Sequence, residues 1–187
     1  VKITLVSTNF SDMHIRNATL ADAESVAAIH IENWRAGYRG HMTDTYLDRD
    51  ITLERREIWQ TRLANPGPTE QVLLAMDGEQ IVGFSSLIGR DDERWGNMLD
   101  NLHVSGEHKG RGVGELLLRE TAARFEEHYP ALGMYLWVLE ANHGARRFYE
   151  RMGGVNAESD HWAPPDGSSL PCLRYVWRDL GLLARRG

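Results

Sequence analysis

Three groups of residues have types and spacings that could do chemistry. The densest is HVSGEHKGRGVGELLLRE at 103–120. Gly110, Gly112 and Gly114 permit close approach of a ligand to the main chain. The first N–H groups of a helix beginning here would lack intrahelical acceptors, and Lys109 and Arg111 add positive charge. Together they suit phosphate oxygens; the alternative is a plain glycine-rich link between a strand and a helix. Two familiar phosphate motifs are excluded. The residue five after Gly106 is Arg111 and no Lys-Ser/Thr pair follows, so GxxxxGK[ST] is absent. The interval of Gly110, Gly112 and Gly114, followed by Glu115, does not match GxGxxG. The second group is Asn142 with His143-Gly144-Ala145 and the aromatic pair Phe148-Tyr149, where Asn142 is placed to cap a helix. The third is the eight histidines. No HExxH is present, and His103 and His108 flank a glycine-containing turn without a third ligand, so no metal site is expected. The single Cys172 excludes an intramolecular disulfide and any multi-cysteine cluster, and no cysteine–histidine arrangement points to a covalent acyl-enzyme.

These residues need elements to hold them. HIRNAT at 14–19 reads as a strand. The following helix starts at a capping-box pair, Thr19 and Asp22, and turns Ala23, Val26, Ala27 and His30 to one side. Helical segments at 43–47 and 53–63 end before NPGP at 65–68. QVLLAMDGEQIVGFSSLIG at 71–89 predicts a hairpin turning at Asp77-Gly78. Strands are expected at 97–104, 134–140 and 173–177, and helices at 115–129 and 142–154. KITLV at 2–6 is a possible accessory strand, and GLLARRG is expected to fray. The order predicts an α+β fold: a sheet with helices on both faces and the ligand where strands hand over to helices. The domain is expected to run from 14 to 178, preceded by an extension at 1–13 and followed by a tail at 179–187.

With these elements in place, two blocks resemble the GCN5-related N-acetyltransferase (GNAT) superfamily. K109-G110-R111-G112-V113-G114 is similar to its pyrophosphate loop, Arg/Gln-x-x-Gly-x-Gly/Ala, with Lys109 at the Arg/Gln position. L102-H103-V104 resembles the strand end before that loop, and W137 through E150 resembles the second block, in which Asn opens a helix carrying Ala and Phe-Tyr. The usual Gly-Phe after that helix is replaced by Gly153-Gly154. The resemblance covers roughly residues 14–178. It implies a central mixed, mostly antiparallel sheet whose fourth and fifth strands splay apart around acetyl-CoA. It also implies direct attack of an amine on the thioester through a tetrahedral intermediate.

The same resemblance implies cofactor contacts from Leu102, His103 and Val104 to the pantetheine arm and from Lys109, Gly110, Arg111, Gly112, Val113 and Gly114 to the pyrophosphate. Asn142 would touch the pantetheine arm, Phe148 would pack beside it, and the Tyr149 hydroxyl would serve the departing thiolate. A backbone N–H near Leu102 or His103 would stabilise the oxyanion. Candidates for activating the amine are Asp100, His103 and Glu140. Asp100 and His103 would face opposite sides of a regular strand unless a bulge intervenes. Glu32, Trp34, Tyr38 and Tyr46 are expected to form the acceptor pocket, with Glu32 attracting the acceptor's cation.

The formal charge of −6 argues against nonspecific nucleic-acid binding, and the six tryptophans are scattered rather than arranged as a base-stacking platform. No run approaches the ~18 apolar residues of a membrane span. The expectation is a cytoplasmic N-acetyltransferase, monomeric or homodimeric, acting on an amine acceptor, with a small molecule preferred over a protein N-terminus or lysine. The contrasting expectation is a silent acyl-CoA-binding module.

Overall fold

The structure, a computed structural model, describes residues 13–185. The possible accessory strand at 2–6 lies outside them. Seven strands form one sheet in the order β1-β2-β3-β4-β5-β7-β6. They are β1 (Met13–Asn17), β2 (Glu70–Asp77), β3 (Gln80–Asp92), β4 (Gly96–Val104), β5 (Met134–Leu139), β6 (Val155–Trp162) and β7 (Leu170–Trp177). Only β4 and β5 run parallel. Helices α1 (Ala23–Gly37) and α2 (Ile51–Ala64) cover one face, while α3 (Val113–His128), α4 (His143–Arg151) and α5 (Leu180–Arg185) cover the other.

A core on each face explains the apolar run VLLAM in β2. Val72, Leu74 and Met76 pack beneath α1 and α2, while Leu73 and Ala75 pack beneath α3. Burying each such aliphatic side chain contributes about 1.5–3 kcal/mol. The entry to α1 is fixed as expected. Asp22 accepts from the Thr19 N–H at 2.8 Å and its Oγ–H at 3.0 Å, and it takes both arms of Arg16 at 2.8 Å. The Arg16 hydrogen bonds hold the Asp22 carboxyl well below the usual range.

Three elements differ from expectation. The β2–β3 register pairs Asp77 with Gln80, so the turn residues are Gly78-Glu79 rather than Asp77-Gly78. Gly78 has φ +57° while Glu79 has no positive φ, the pattern of a type II′ turn. Second, VNAESDHW at 155–162 is a strand, β6, at the sheet's outer edge. Third, residues 180–185 form α5 instead of fraying. Leu180 and Leu183 join the core beneath α3, and Arg119 donates to the Leu183 carbonyl at 2.8 Å. The folded unit therefore extends beyond 178. No helix among the described residues is long and apolar enough to cross a membrane.

Candidate active site

β4 and β5 are paired only at Asn97↔Met134 and Met98↔Tyr135. The Asn97 backbone and side-chain N–H groups both donate to the Gly133 carbonyl at 3.0 Å, closing the base of the V. Beyond Met98 the strands part, because β5 is held along Met134–Leu139 by β7 and β4 by β3. The gap opens into a cleft of about 1370 Å³.

The register of β4 decides what each residue presents. Phe84 pairs with His103, and the Ser105 N–H donates to the Val82 carbonyl at 2.9 Å. Alternation along the ladder therefore turns the main-chain groups of His103 toward β3 and those of Leu102 and Val104 toward the splay. The N–H available to the gap is that of Leu102 rather than His103. The Val104 carbonyl takes a hydrogen bond from Asn33 Nδ2 at 3.0 Å. Ser86 pairs with Asn101 while Leu87 pairs with Leu99, so Asp100 is the extra residue of a bulge. The bulge brings Asp100 and His103 to the same face, the one covered by α1 and α2. Asp100 meets Arg62 of α2 at 2.5 Å, and the His103 ring lies 4.7 Å from that of His30 in α1.

One wall of the cleft is formed by Lys109, Gly110, Gly112 and Gly114, together with Asn142, Phe148 and Tyr149. Gly110 and Gly112 have φ +77° and +82°, and Gly112 is the N-cap of α3. This left-handed geometry favours glycine and points the free N–H groups at the start of α3 outward. Arg111 is exposed beside them, whereas the Val113 side chain lies in the core, leaving only its main chain for a ligand. Asn142 Oδ1 accepts from the Ala145 N–H at 3.1 Å, which caps α4, and Asn142 lines the cleft. One α4 turn pair further, Tyr149 is nearly buried, and Trp177 packs edge-on against it at 5.9 Å. Trp177 is in turn fixed by donating to the Met152 carbonyl at 3.1 Å. Burial, with a smaller contribution from Tyr38, pushes the Tyr149 phenol well above its ordinary range, so it stays protonated.

The other wall carries side chains from α1, α2, β4, β5, β6 and β7. His30, Asn33, Trp34 and Gly37 line it at helical spacing. Trp34, Tyr38 and Trp162 interlock with ring separations of 5.0–5.9 Å. Burial pushes the Tyr38 phenol up to about 12. Trp59 Nε1 donates to His30 Nδ1 at 2.9 Å, so the proton of the neutral imidazole sits on Nε2. Burial pushes His103 down to about 3, assisted by Lys109, and burial also lowers His30 well below its ordinary value. Both rings are neutral at physiological pH. Arg174 stacks over Trp137 at 4.3 Å and pairs with Glu158 at 2.8 Å.

Two expected pocket residues, Glu32 and Tyr46, and one candidate for activating the amine, Glu140, lie elsewhere. Glu32 projects from α1 away from the lining face, and its carboxylate accepts the Gly106 N–H at 3.0 Å. Tyr46 is buried beneath α1 and α2, with its hydroxyl donated to Glu54. Glu140 is exposed past the end of β5 and is absent from the lining. Asp100 does line the cleft, but its carboxylate is engaged by Arg62 and by Asn101 Nδ2 at 2.7 Å. Sequence reasoning did not select Arg55, Trp59, Arg62, Trp137, Trp162 or Arg174 for the site. His30, selected there for the core, also lines the cleft. The spacing 30, 33, 34, 37 was a readable signal for His30, and it excludes Glu32. Among the described residues, no cluster of histidine, cysteine or carboxylate side chains could hold a metal ion.

Residues 26–154 match the family model for the acetyltransferase (GNAT) family. A probable N-acetyltransferase of Mycobacterium tuberculosis is 28% identical over 169 residues, covering 88% of this chain and 93% of that protein. An uncharacterized N-acetyltransferase of Bacillus subtilis is 27% identical over 172 residues, covering 90% and 95%. Among solved structures, the PaiA N-acetyltransferase of Thermoplasma acidophilum in complex with coenzyme A superposes with a TM-score of 0.70 at 20% identity, covering 88% of this chain and 99% of that one.

Proposed function

Because the chain belongs to the acetyltransferase (GNAT) family, we propose that it transfers the acetyl group of acetyl-CoA to a primary amine by direct attack, with both substrates bound together. The observation that carries this reading is the β4/β5 splay, bounded by the glycine turn at one end and flanked by a protonated Tyr149. The wall fits the cofactor. The N–H groups of Gly110 to Gly114, with Lys109 and Arg111, offer donors and positive charge to a pyrophosphate. The Leu102 carbonyl and the Val104 N–H offer unpaired main-chain groups to an amide-bearing arm, and the Asn142 amide adds a donor. Bound there, acetyl-CoA supplies an electrophilic thioester carbonyl and a sulfur leaving group.

The chain's own residues account for the rest. The Leu102 N–H is directed into the gap, where it can stabilise negative charge on an acyl oxygen. Tyr149 holds a proton for the departing sulfur. Asp100 is occupied by Arg62, and His103 resists protonation, so His103 is assigned to orienting a water that carries the amine proton away. The interlocked Trp34, Tyr38 and Trp162 line the acceptor side as one packed aromatic cluster, which favours a compact acceptor over a protein segment.

The test is release of the CoA thiol in the presence of a panel of primary amines. Release that requires an amine supports the reading, whereas tight acetyl-CoA binding without amine-dependent release would identify a non-catalytic binding module. Tyr149→Phe should lower kcat by about 100-fold, the range for loss of a general acid. Its acetyl-CoA Kd should stay within about twofold, because no ground-state contact is lost. An unchanged kcat would remove Tyr149 from the chemistry.

A further inference from the structure

Apart from Arg174, which is ion-paired with Glu158 and Asp92, the acceptor-side wall contains two buried donors without a hydrogen-bond partner. His30 is 2% exposed, and its protonated Nε2 has no partner among the described residues. Arg55 Nε is likewise buried and unpartnered. Both flank one ring: Arg55 Cζ lies 4.7 Å from the centre of Trp34, and the His30 ring lies 4.9 Å from it. Both residues also line the cleft. Leaving a buried donor unsatisfied is costly, and two of them on residues that line one cavity and share Trp34 as a neighbour call for acceptor oxygens.

The charges around them agree. Arg55 and Arg62 lie close enough to His30 to oppose its protonation. The nearby carboxylates are already engaged: Glu54 by Arg55 and the Tyr46 hydroxyl, and Asp100 by Arg62. Glu32 is outside the cleft. Asp160, on the cleft rim, is exposed to solvent. This interior is short of free negative charge and supplied with donors.

We infer that the amine acceptor carries a carboxylate, held by Arg55 Nε and His30 Nε2 against the face of Trp34, so that the substrate class is a free amino acid or a close analogue. The inference rests on the acetyl-transfer reading above and replaces the cation-attracting role expected for Glu32. Arg55 and Arg62 oppose protonation at His30, and the same field and burial would let a bound amine lose its proton more readily than in water. The carboxylate thus anchors the molecule while the field that holds it helps prepare the nucleophile.

The proteinogenic L-amino acids should be compared with their carboxamides in two measurements on the full chain loaded with acetyl-CoA: thiol release and calorimetric binding to the CoA-loaded protein. At least one free acid should exceed its amide by about 10–100-fold in kcat/KM and in affinity, as expected for loss of a charge-assisted pair. Arg55→Met should erase that preference, and Arg55→Lys should restore only part of it, since Lys keeps the charge without the Nε–H. Acetyl-CoA affinity, measured on each variant, should remain at the wild-type value and serves as the check on folding. Should no acid bind or react better than its amide while acetyl-CoA still binds and some other amine turns over, the carboxylate inference is overturned and the transfer reading stands. Should the acids bind preferentially without any thiol release, the inference survives and the transfer reading falls.

Discussion

From Lys109 to Gly114 the cleft is walled by main chain from one continuous segment. Opposite it, His30, Trp34, Arg55, Trp59 and Trp162 arrive as side chains from three separate elements. The first wall works through backbone N–H groups, so its sequence requirement is permissive geometry: φ values of +77° and +82° at Gly110 and Gly112. The second works through particular atoms, each held by a neighbour, as Trp59 holds His30. A main-chain site tolerates side-chain loss and fails on added bulk. A side-chain site responds in the opposite way.

The largest expected effect tests that contrast on the first wall. Gly112→Glu forces a side chain into left-handed backbone and sets a negative charge at the start of α3, and acetyl-CoA affinity should drop by about 100-fold or more. Lys109→Ala removes only an exposed charge and should cost less than about tenfold. Titration calorimetry measures both; the reverse order would break the contrast.

The second wall can be probed through pH. His103 is held down to about 3 when folded, against about 6.5 for an ordinary histidine. Between those values the unfolded chain binds the extra proton, so stability falls as pH drops below about 6.5. His30, also lowered, acts in the same direction. Replacing His103 with Gln should spare up to about 2 kcal/mol of the stability lost between pH 7 and pH 5. Urea denaturation at the two pH values would show it, and equal losses in both proteins would mean His103 is free to protonate in the fold.

The smallest effect belongs to the helix cap beside the glycine turn. Asn142→Ala removes the α4 cap and should cost about 1 kcal/mol in thermal or chemical unfolding. A larger fall in acetyl-CoA affinity than that figure accounts for would add the amide nitrogen to the binding wall.

The same contrast explains what the sequence made legible. The main-chain wall from Lys109 to Gly114 is contiguous, so its glycines and charges could be read directly, and Asn142 was legible by itself as a helix cap. The opposite wall is assembled from residues up to 144 positions apart in number, from His30 to Arg174, and no local pattern links them. Helical spacing alone could have excluded Glu32, yet Arg55 and Arg62 look like ordinary solvated helix charges until α2 is laid over the sheet. Among the elements, β6 escaped notice because its exposed edge carries no apolar alternation. α5 escaped because six residues with two core leucines resemble a tail until α3 provides their partner.

The extra residue at Asp100 acts as a phase slip in β4. Before it, Leu99 keeps step with the α3 core; after it, Asn101 and His103 keep step with α1 and α2. Deleting one residue there would reverse the facing of every side chain on one side of the slip while leaving the glycine turn's own sequence intact. A change in strand length, with no substitution in either wall, could therefore exchange the surface shown to the acceptor. That makes insertion and deletion at this position a route by which one acetyl-donor site could be coupled to different nucleophiles.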